Sequence, residues 1–211
     1  MNTPSTLTFS KLGCTRGGRQ LFKDVDCTLH AGHWLYVTGA NGVGKTSLLR
    51  MLCGLAPVES GAILWNNAPI GTQRDSYQQD LCYLGHLNAL QESMSVQENL
   101  VFTSALGGVE LDAQKAKSVL ERFGLRGRSS QLVRHLSQGQ KRRVALSRLA
   151  LSPARLWVLD EPYVAMDEAG IQMLSDLIAT HLDQGGLAVI TSHQRVPVGT
   201  HTAQLLELKS L

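Results

Sequence analysis

The segment WLYVTGANGVGKTSLLRMLC, Trp34 to Cys53, constrains the fold more than any other stretch of this 211-residue chain. Trp34–Thr38 is a short, mostly apolar run that suits a buried central strand. Thr46–Cys53 carries Leu48, Leu49 and Leu52 at helical spacing, and Gly54 supplies a stop. Only a glycine loop, Gly39–Gly44, joins the two. Gly39, four residues, then Gly44-Lys45-Thr46 matches the pattern G-x-x-x-x-G-K-[ST]. Glycines let the backbone curl so that successive N–H groups face phosphate oxygens. The helix starting near Lys45 adds its unpaired N–H groups and its dipole. The pattern assigns Gly39, Ala40, Asn41, Gly42, Val43, Gly44, Lys45, Thr46 and Ser47 to a nucleoside triphosphate. Lys45 is expected on the β and γ phosphates, and the Thr46 hydroxyl on Mg²⁺.

The flanking sequence predicts the rest of an α/β fold. Thr6–Leu12 and Leu21–Leu29 show near-alternating apolar residues and read as early strands, with Ala62–Trp65 and Leu81–Leu84 as further short ones. Val96–Leu106, Ala113–Phe123 and Gln138–Ala150 read as helices. Leu156–Leu159 returns to strand, Ala169–Leu182 to helix and Leu187–Thr191 to strand. The helical middle, about 86–151, is a candidate insertion into a core lobe of about 4–85 and 152–211. Leu156–Leu159 ends in Asp160 and Glu161, the Walker B pattern. A parallel strand beside the loop strand would bring these acids to the phosphates, Asp160 for Mg²⁺ and Glu161 as general base toward water.

Composition narrows the class. Aromatics are 5% of the chain, too few to favour a stacking-based single-strand nucleic-acid binder, and a net charge of +3 does not by itself imply nucleic acid. Cys14, Cys27, Cys53 and Cys82 form no CxxC pair, so neither a zinc site nor a disulfide framework is indicated, and a reducing compartment is expected. The N-terminus lacks a signal-peptide pattern, and no stretch approaches 18 apolar residues.

Leu136-Ser137-Gln138-Gly139-Gln140, followed by Lys141-Arg142-Arg143, stands shortly before the acid pair. Taken alone, Lys141-Arg142-Arg143 reads as a solvated helix face or a nucleic-acid patch. With the loop and the acids, the stretch resembles the ATP-binding cassette (ABC) family, whose signature is LSGGQ leading into a basic helix. Gln138 departs from that signature, while Ser137 and Gly139 keep it. The resemblance covers nearly the whole chain. It implies a P-loop ATPase with an N-terminal antiparallel β-subdomain and an inserted helical subdomain. Two chains would sandwich two MgATP, with Ser137 and Gly139 supplied across the dimer. Asp167 matches the D-loop, and His193 matches the switch histidine on the γ-phosphate.

Two further positions depart from the family. His86 follows Leu81–Gly85 where the family has a metal-sensing glutamine; His86 takes that place, or Gln91 does with the alignment displaced. Arg16 falls near the adenine-stacking aromatic, as a stacking guanidinium or as a surface arginine. YLGH, RDSYQQ, QGQKRRVALSRL, WVLDEP and SHQ together resemble the ATP-binding subunit of bacterial cytochrome c maturation systems, the haem exporter ATPase. That resemblance implies integral-membrane permease partners at the cytoplasmic face of the inner membrane. It implies docking near His86, and no contact with nucleic acid or cargo. The rival readings are another exporter ATPase with lipid or drug cargo, a soluble ABC ATPase on nucleic acid or ribosomes, and a catalytically weak regulatory subunit.

Overall fold

The structure is a computed structural model that describes residues 4–192 and 198–209. Two sheets organise it. The first is antiparallel, in the order β2-β1-β4-β5, and consists of β1 (Thr6–Arg16), β2 (Arg19–His30), β4 (Ser60–Trp65) and β5 (Ala68–Pro69). The second has the order β6-β7-β8-β3-β9, built from β3 (Trp34–Thr38), β6 (Leu81–Leu84), β7 (Leu156–Asp160), β8 (Leu187–Thr191) and β9 (Gln204–Glu207). Its pairs β7–β8, β8–β3 and β3–β9 are parallel. The six α-helices among the described residues are α1 (Lys45–Leu52), α2 (Arg74–Gln79), α3 (Val96–Leu106), α4 (Ala113–Arg122), α5 (Gln138–Ser147) and α6 (Glu168–Asp183). The expected strand Trp34–Thr38 and helix Val96–Leu106 are found with those bounds.

The chain divides into two compact units. The first comprises residues 1–83, 154–161 and 178–211. Its strands follow from their patterns. Leu7 and Phe9 of β1 are buried while Thr6 and Thr8 are partly exposed, so one face of the antiparallel sheet is apolar. Strands β7 and β8 are buried at every position, as parallel strands covered on both faces must be. Leu48, Leu49, Met51 and Leu52 of α1 are fully buried. They share one core with Leu7, Phe9 and Trp65 of the antiparallel sheet and with Leu35, Val37, Val158 and Val189 of the parallel one. Asp80 ties the pieces further: its carboxylate accepts from Trp65 Nε1 at 2.9 Å and its carbonyl accepts from Leu156 N at 2.9 Å.

The second unit comprises residues 84–153 and 162–177. Its helices start on sequence-encoded caps. Ser95 and Glu98 form a capping box on α3, Asp112 caps α4, and Ser137 with Gln140 forms a capping box on α5. Helix α5 ends at Ser147 rather than Ala150, and Arg148–Leu151 continues as a tighter 3₁₀ turn.

A half-buried histidine lies in the first unit. The His181 ring stacks on Trp157 at 3.9 Å between centroids and 7° between planes. Its Nε2–H donates to Leu187 O at 3.2 Å, and Gly186 leaves no room for a Cβ against the ring. Burial lowers the imidazole pKa below its ordinary value, while the backbone carbonyls of Leu187 and Arg155 oppose that shift. The folded state therefore favours the neutral ring. This stability is complete above the ordinary histidine value, about 6.5, and is lost as the pH falls toward the folded value. His181→Phe keeps a ring on Trp157 but cannot take up a proton. Its melting temperature is expected to fall less between pH 7.5 and 5.5 than that of the parent chain. Parallel melting curves across that range would refute the assignment.

Candidate nucleotide-binding site

The loop between β3 and α1 is held by sterics. Gly39 has φ of 142°, and a Cβ there would lie 2.5 Å from Leu208 O and 2.9 Å from Val43 Cγ1, so only glycine fits. Val43 is buried and anchors the loop from beneath, while Ala40, Asn41 and Gly42 are exposed. Lys45 folds back over the loop, and its Nζ donates to Gly39 O at 2.9 Å and Ala40 O at 3.3 Å. Helix α1 has no side-chain cap and no acidic residue in its first turn. Its N-terminal N–H groups and positive dipole end are thus left for an anion.

The acid pair meets this loop through two threonines. Asp160 is 2% exposed, and both of its carboxylate oxygens accept hydroxyl donors. Thr46 Oγ1 donates to Oδ2 at 2.8 Å, and Thr191 Oγ1 donates to Oδ1 at 2.7 Å. Thr191 Oγ1 in turn accepts from Glu161 N at 2.9 Å. Glu161 has a left-handed backbone, φ 50°, at the point where the chain leaves β7. That conformation is costly for a residue with a side chain. The strand order corrects one expectation: β7 is not beside the loop strand, because β8 lies between them. Asp160 still reaches Thr46, since Thr191 is in register with both Asp160 and Val37 and the strand ends are level.

The donor set fits a hard cation such as Mg²⁺. Thr46 and Asp160 offer a hydroxyl and a carboxylate oxygen, and among the described residues no cluster of three or more His, Cys, Asp or Glu forms a cage. Mg²⁺ is commonly held in that way, by one or two carboxylates together with substrate phosphates. Neighbouring groups stay protonated. Burial and then the Asp160 charge push the Tyr83 phenol up to about 12. Burial, Cys82 and Asp160 raise the Cys53 thiol. Neither is an acid or base near neutral pH.

Arg16 is exposed at the end of β1. Burial raises the pKa of the Cys14 thiol, and the Glu59 charge adds to the shift. Arg16 and Ser47 act on that buried thiol in the direction that lowers its pKa.

The signature residues belong to the second unit. The Ser137 hydroxyl accepts from Gln140 N at 3.3 Å, and Gln140 Oε1 accepts from Ser137 N at 3.0 Å. Gln138 is exposed. Gly139 has a packing reason of its own, because a Cβ would meet Ala165 O at 2.8 Å. The basic run is neither a solvated face nor a nucleic-acid patch, because each residue is spent internally. Lys141 pairs with Glu92 at 2.5 Å, Arg142 is 3% exposed, and Arg143 pairs with Asp167 and donates to Phe123 O at 3.3 Å. Asp167 also accepts from Gly170 N at 3.0 Å, and the backbone bond to Gly170 and then Arg143 hold its carboxyl below the usual range. His86 is exposed and lies in this unit, whereas the loop and Asp160 lie in the other. His193 lies outside the described residues.

Sequence reasoning missed Thr191 as the partner of Asp160, and it missed the burial of Arg142. Thr191 carried a signal, a hydroxyl closing an all-apolar strand at the level of Asp160. Arg142 carried none, because a charged triplet looks alike whether it is solvated or buried.

A family model described as ABC transporter matches residues 22–164. The chain is 73% identical over 210 residues, with all of both chains covered, to a protein of Albidiferax ferrireducens named cytochrome c biogenesis ATP-binding export protein CcmA. It is 49% identical to the protein of that name from Dechloromonas aromatica, over 93% of this chain and 97% of the other. Among solved structures it resembles one from Pyrococcus furiosus described as an ABC transporter ATP-binding protein. That match has a TM-score of 0.83 and 25% identity, over 96% of this chain and 97% of the other.

Thr191→Val keeps the shape but strips the hydroxyl from between Asp160 Oδ1 and Glu161 N. It is expected to cost about 1–3 kcal/mol in urea unfolding, the range for leaving buried polar groups unsatisfied. Turnover of a bound nucleoside triphosphate should also fall, since Glu161 loses its backbone anchor. A variant with the parent's midpoint and rate would show that the hydroxyl is dispensable.

Proposed function

Because the chain belongs to the ABC transporter family, binding ATP and coupling its hydrolysis to transport, we propose that it drives haem delivery or export for c-type cytochrome biogenesis. The relatives' name supports the process, and the Thr46–Asp160 contact carries the chemistry. The proposed domain is single, over 4–211, with a core of 4–85 and 152–211 and a helical subdomain of 86–151. Two copies would close on two MgATP, each completed by Ser137 and Gly139 of its partner. No helix among the described residues is long and apolar enough to cross a membrane, so the force would act on integral-membrane permease subunits. The proposed location is peripheral, at the cytoplasmic face of the inner membrane, with the permease docked near His86.

In this reading the loop amides of Gly39–Ser47 bind the phosphates. Lys45 exchanges its bonds to Gly39 O and Ala40 O for the β and γ phosphate oxygens. Thr46 and Asp160 hold Mg²⁺, which when bound offsets charge on the β and γ oxygens. Glu161 accepts a proton from water aligned with the γ phosphorus, its backbone N–H fixed by Thr191. His193 completes the γ-phosphate contacts, Asp167 shapes the loop facing the other copy, and Arg16 stacks on adenine. His86 stands in for the metal-sensing glutamine.

Glu161→Gln is expected to keep ATP affinity within a few-fold while turnover falls by at least about a hundredfold, within the range for removing a general base. Parent-rate hydrolysis would displace Glu161 from the role. Lys45→Ala should lose most nucleotide affinity in a binding titration, and unchanged affinity would refute the loop assignment. A pull-down of tagged Glu161→Gln chain with ATP from solubilised native membranes should recover cytochrome c maturation membrane subunits. Recovery of an unrelated permease would leave the ATPase chemistry and remove the haem process. Ribosomes or DNA-bound proteins in their place would overturn the transport reading.

A further inference from the structure

Arg142 of α5 is 3% exposed. Its Nε donates to Pro162 O at 3.1 Å, and its Nη1 donates to Gly85 O at 3.2 Å and to Asn88 Oδ1 at 3.1 Å. All four residues belong to the second unit. Burying a guanidinium is expensive, and an apolar side chain of similar volume generally fills such a site at lower cost. What an apolar residue cannot do is fix three acceptors around one rigid plane. The acceptors are pointed choices. Gly85 directly precedes His86, Asn88 follows it by two, and Pro162 directly follows Glu161. Arg142 itself rides on the helix that Ser137 caps and that has Gly139 in its first turn. Its neighbours do related work, with Lys141 reaching Glu92 and Arg143 reaching Asp167.

We propose that Arg142 is a positioning residue that locks the His86 loop, the chain leaving Glu161 and the signature helix into one mechanical piece. A displacement at residues 85–88 must then carry α5 and Pro162 with it, because the guanidinium plane cannot lengthen. Lysine retains the charge but has a single nitrogen on a flexible stem, and it cannot replace donors on two edges of a plane. The proposal rests on the ATPase reading above, and the parent chain serves as the control that separates the two.

The test uses the full chain with MgATP, comparing Arg142→Lys, Asn88→Ala and the double variant. Arg142→Lys is expected to leave KM within about twofold and to lower kcat about tenfold or more, the pattern of a lost transition-state arrangement rather than lost binding. Asn88→Ala should lower kcat in the same direction, and the double variant should be no slower than Arg142→Lys, since both cut one tie. ATP should alter amide exchange in peptides covering 85–88 of the parent and leave them unaltered in Arg142→Lys. A folded Arg142→Lys with parent kcat, fully additive losses, or an exchange response intact in the variant would each overturn the proposal. If Arg142→Lys fails to fold, the partly exposed Asn88→Ala still decides through kcat and exchange. A parent chain that neither binds nor hydrolyses ATP would overturn the ATPase reading, and this proposal with it.

Discussion

A carboxylate at the end of an interior strand has to be answered by donors, because its charge cannot be left in an apolar core. Asp160 is that carboxylate, and the hydroxyls of Thr46 and Thr191 answer it. The consequence is geometric. Thr46 stands in the first turn of α1, so a bond of 2.8 Å ties the start of that helix to the end of β7. Thr191 holds Asp160 and the next backbone N–H together, which fixes the left-handed turn at Glu161. The phosphate loop is fastened from its other side by Gly39 against Leu208 O. Loop, Thr46–Asp160 pair and the backbone of Glu161 are thus one arrangement rather than three neighbouring features.

The elements legible in the sequence were those in which one physical signal dominates. Leu156–Asp160 and Leu187–Thr191 are buried on both faces and read as apolar runs. Helix α3 is announced by its Ser95–Glu98 box, and α1 by the loop that precedes it. The antiparallel sheet also answers to its alternation in β1. Elements that were not legible lack such a signal. Strand β5 is two residues long, and α2 is six residues with Tyr77 as its one buried side chain. Strand β9 is an edge strand with Leu205 largely exposed and Leu206 half-buried, so its pattern shows little of a core face. Its register with β3 comes from the sheet, not from its own residues.

The candidate site divides in the same way. Gly39–Ser47 and Asp160–Glu161 stand out because their chemistry requires fixed residue types at fixed spacing. Strand order carries no such mark, and the insertion of β8 between β7 and β3 could not be read from local words. Charge is the least legible signal. Lys141, Arg142 and Arg143 are identical in sequence terms to a solvated triplet, yet side-chain exposures of 15% and 18% for Lys141 and Arg143 show side chains that are mostly covered. Only the tertiary partners, Glu92, Asn88 and Asp167, distinguish the cases, and they lie far along the chain.

That covering of all three side chains changes how the signature helix is understood. A capping box needs only Ser137 and Gln140, and it would hold the first turn of α5 in isolation. Three consecutive cations sent to three separate segments do something a cap cannot, because residues i, i+1 and i+2 of a helix point about 100° apart. Lys141, Arg142 and Arg143 therefore brace α5 from several directions at once, and the helix cannot roll without breaking at least one tie. Gly139, four residues before Arg143 and on the same side of the helix, has Ala165 O where a Cβ would stand. A helix so braced moves as a rigid body or not at all, and it carries Ser137 and Gly139 with it as a fixed pair.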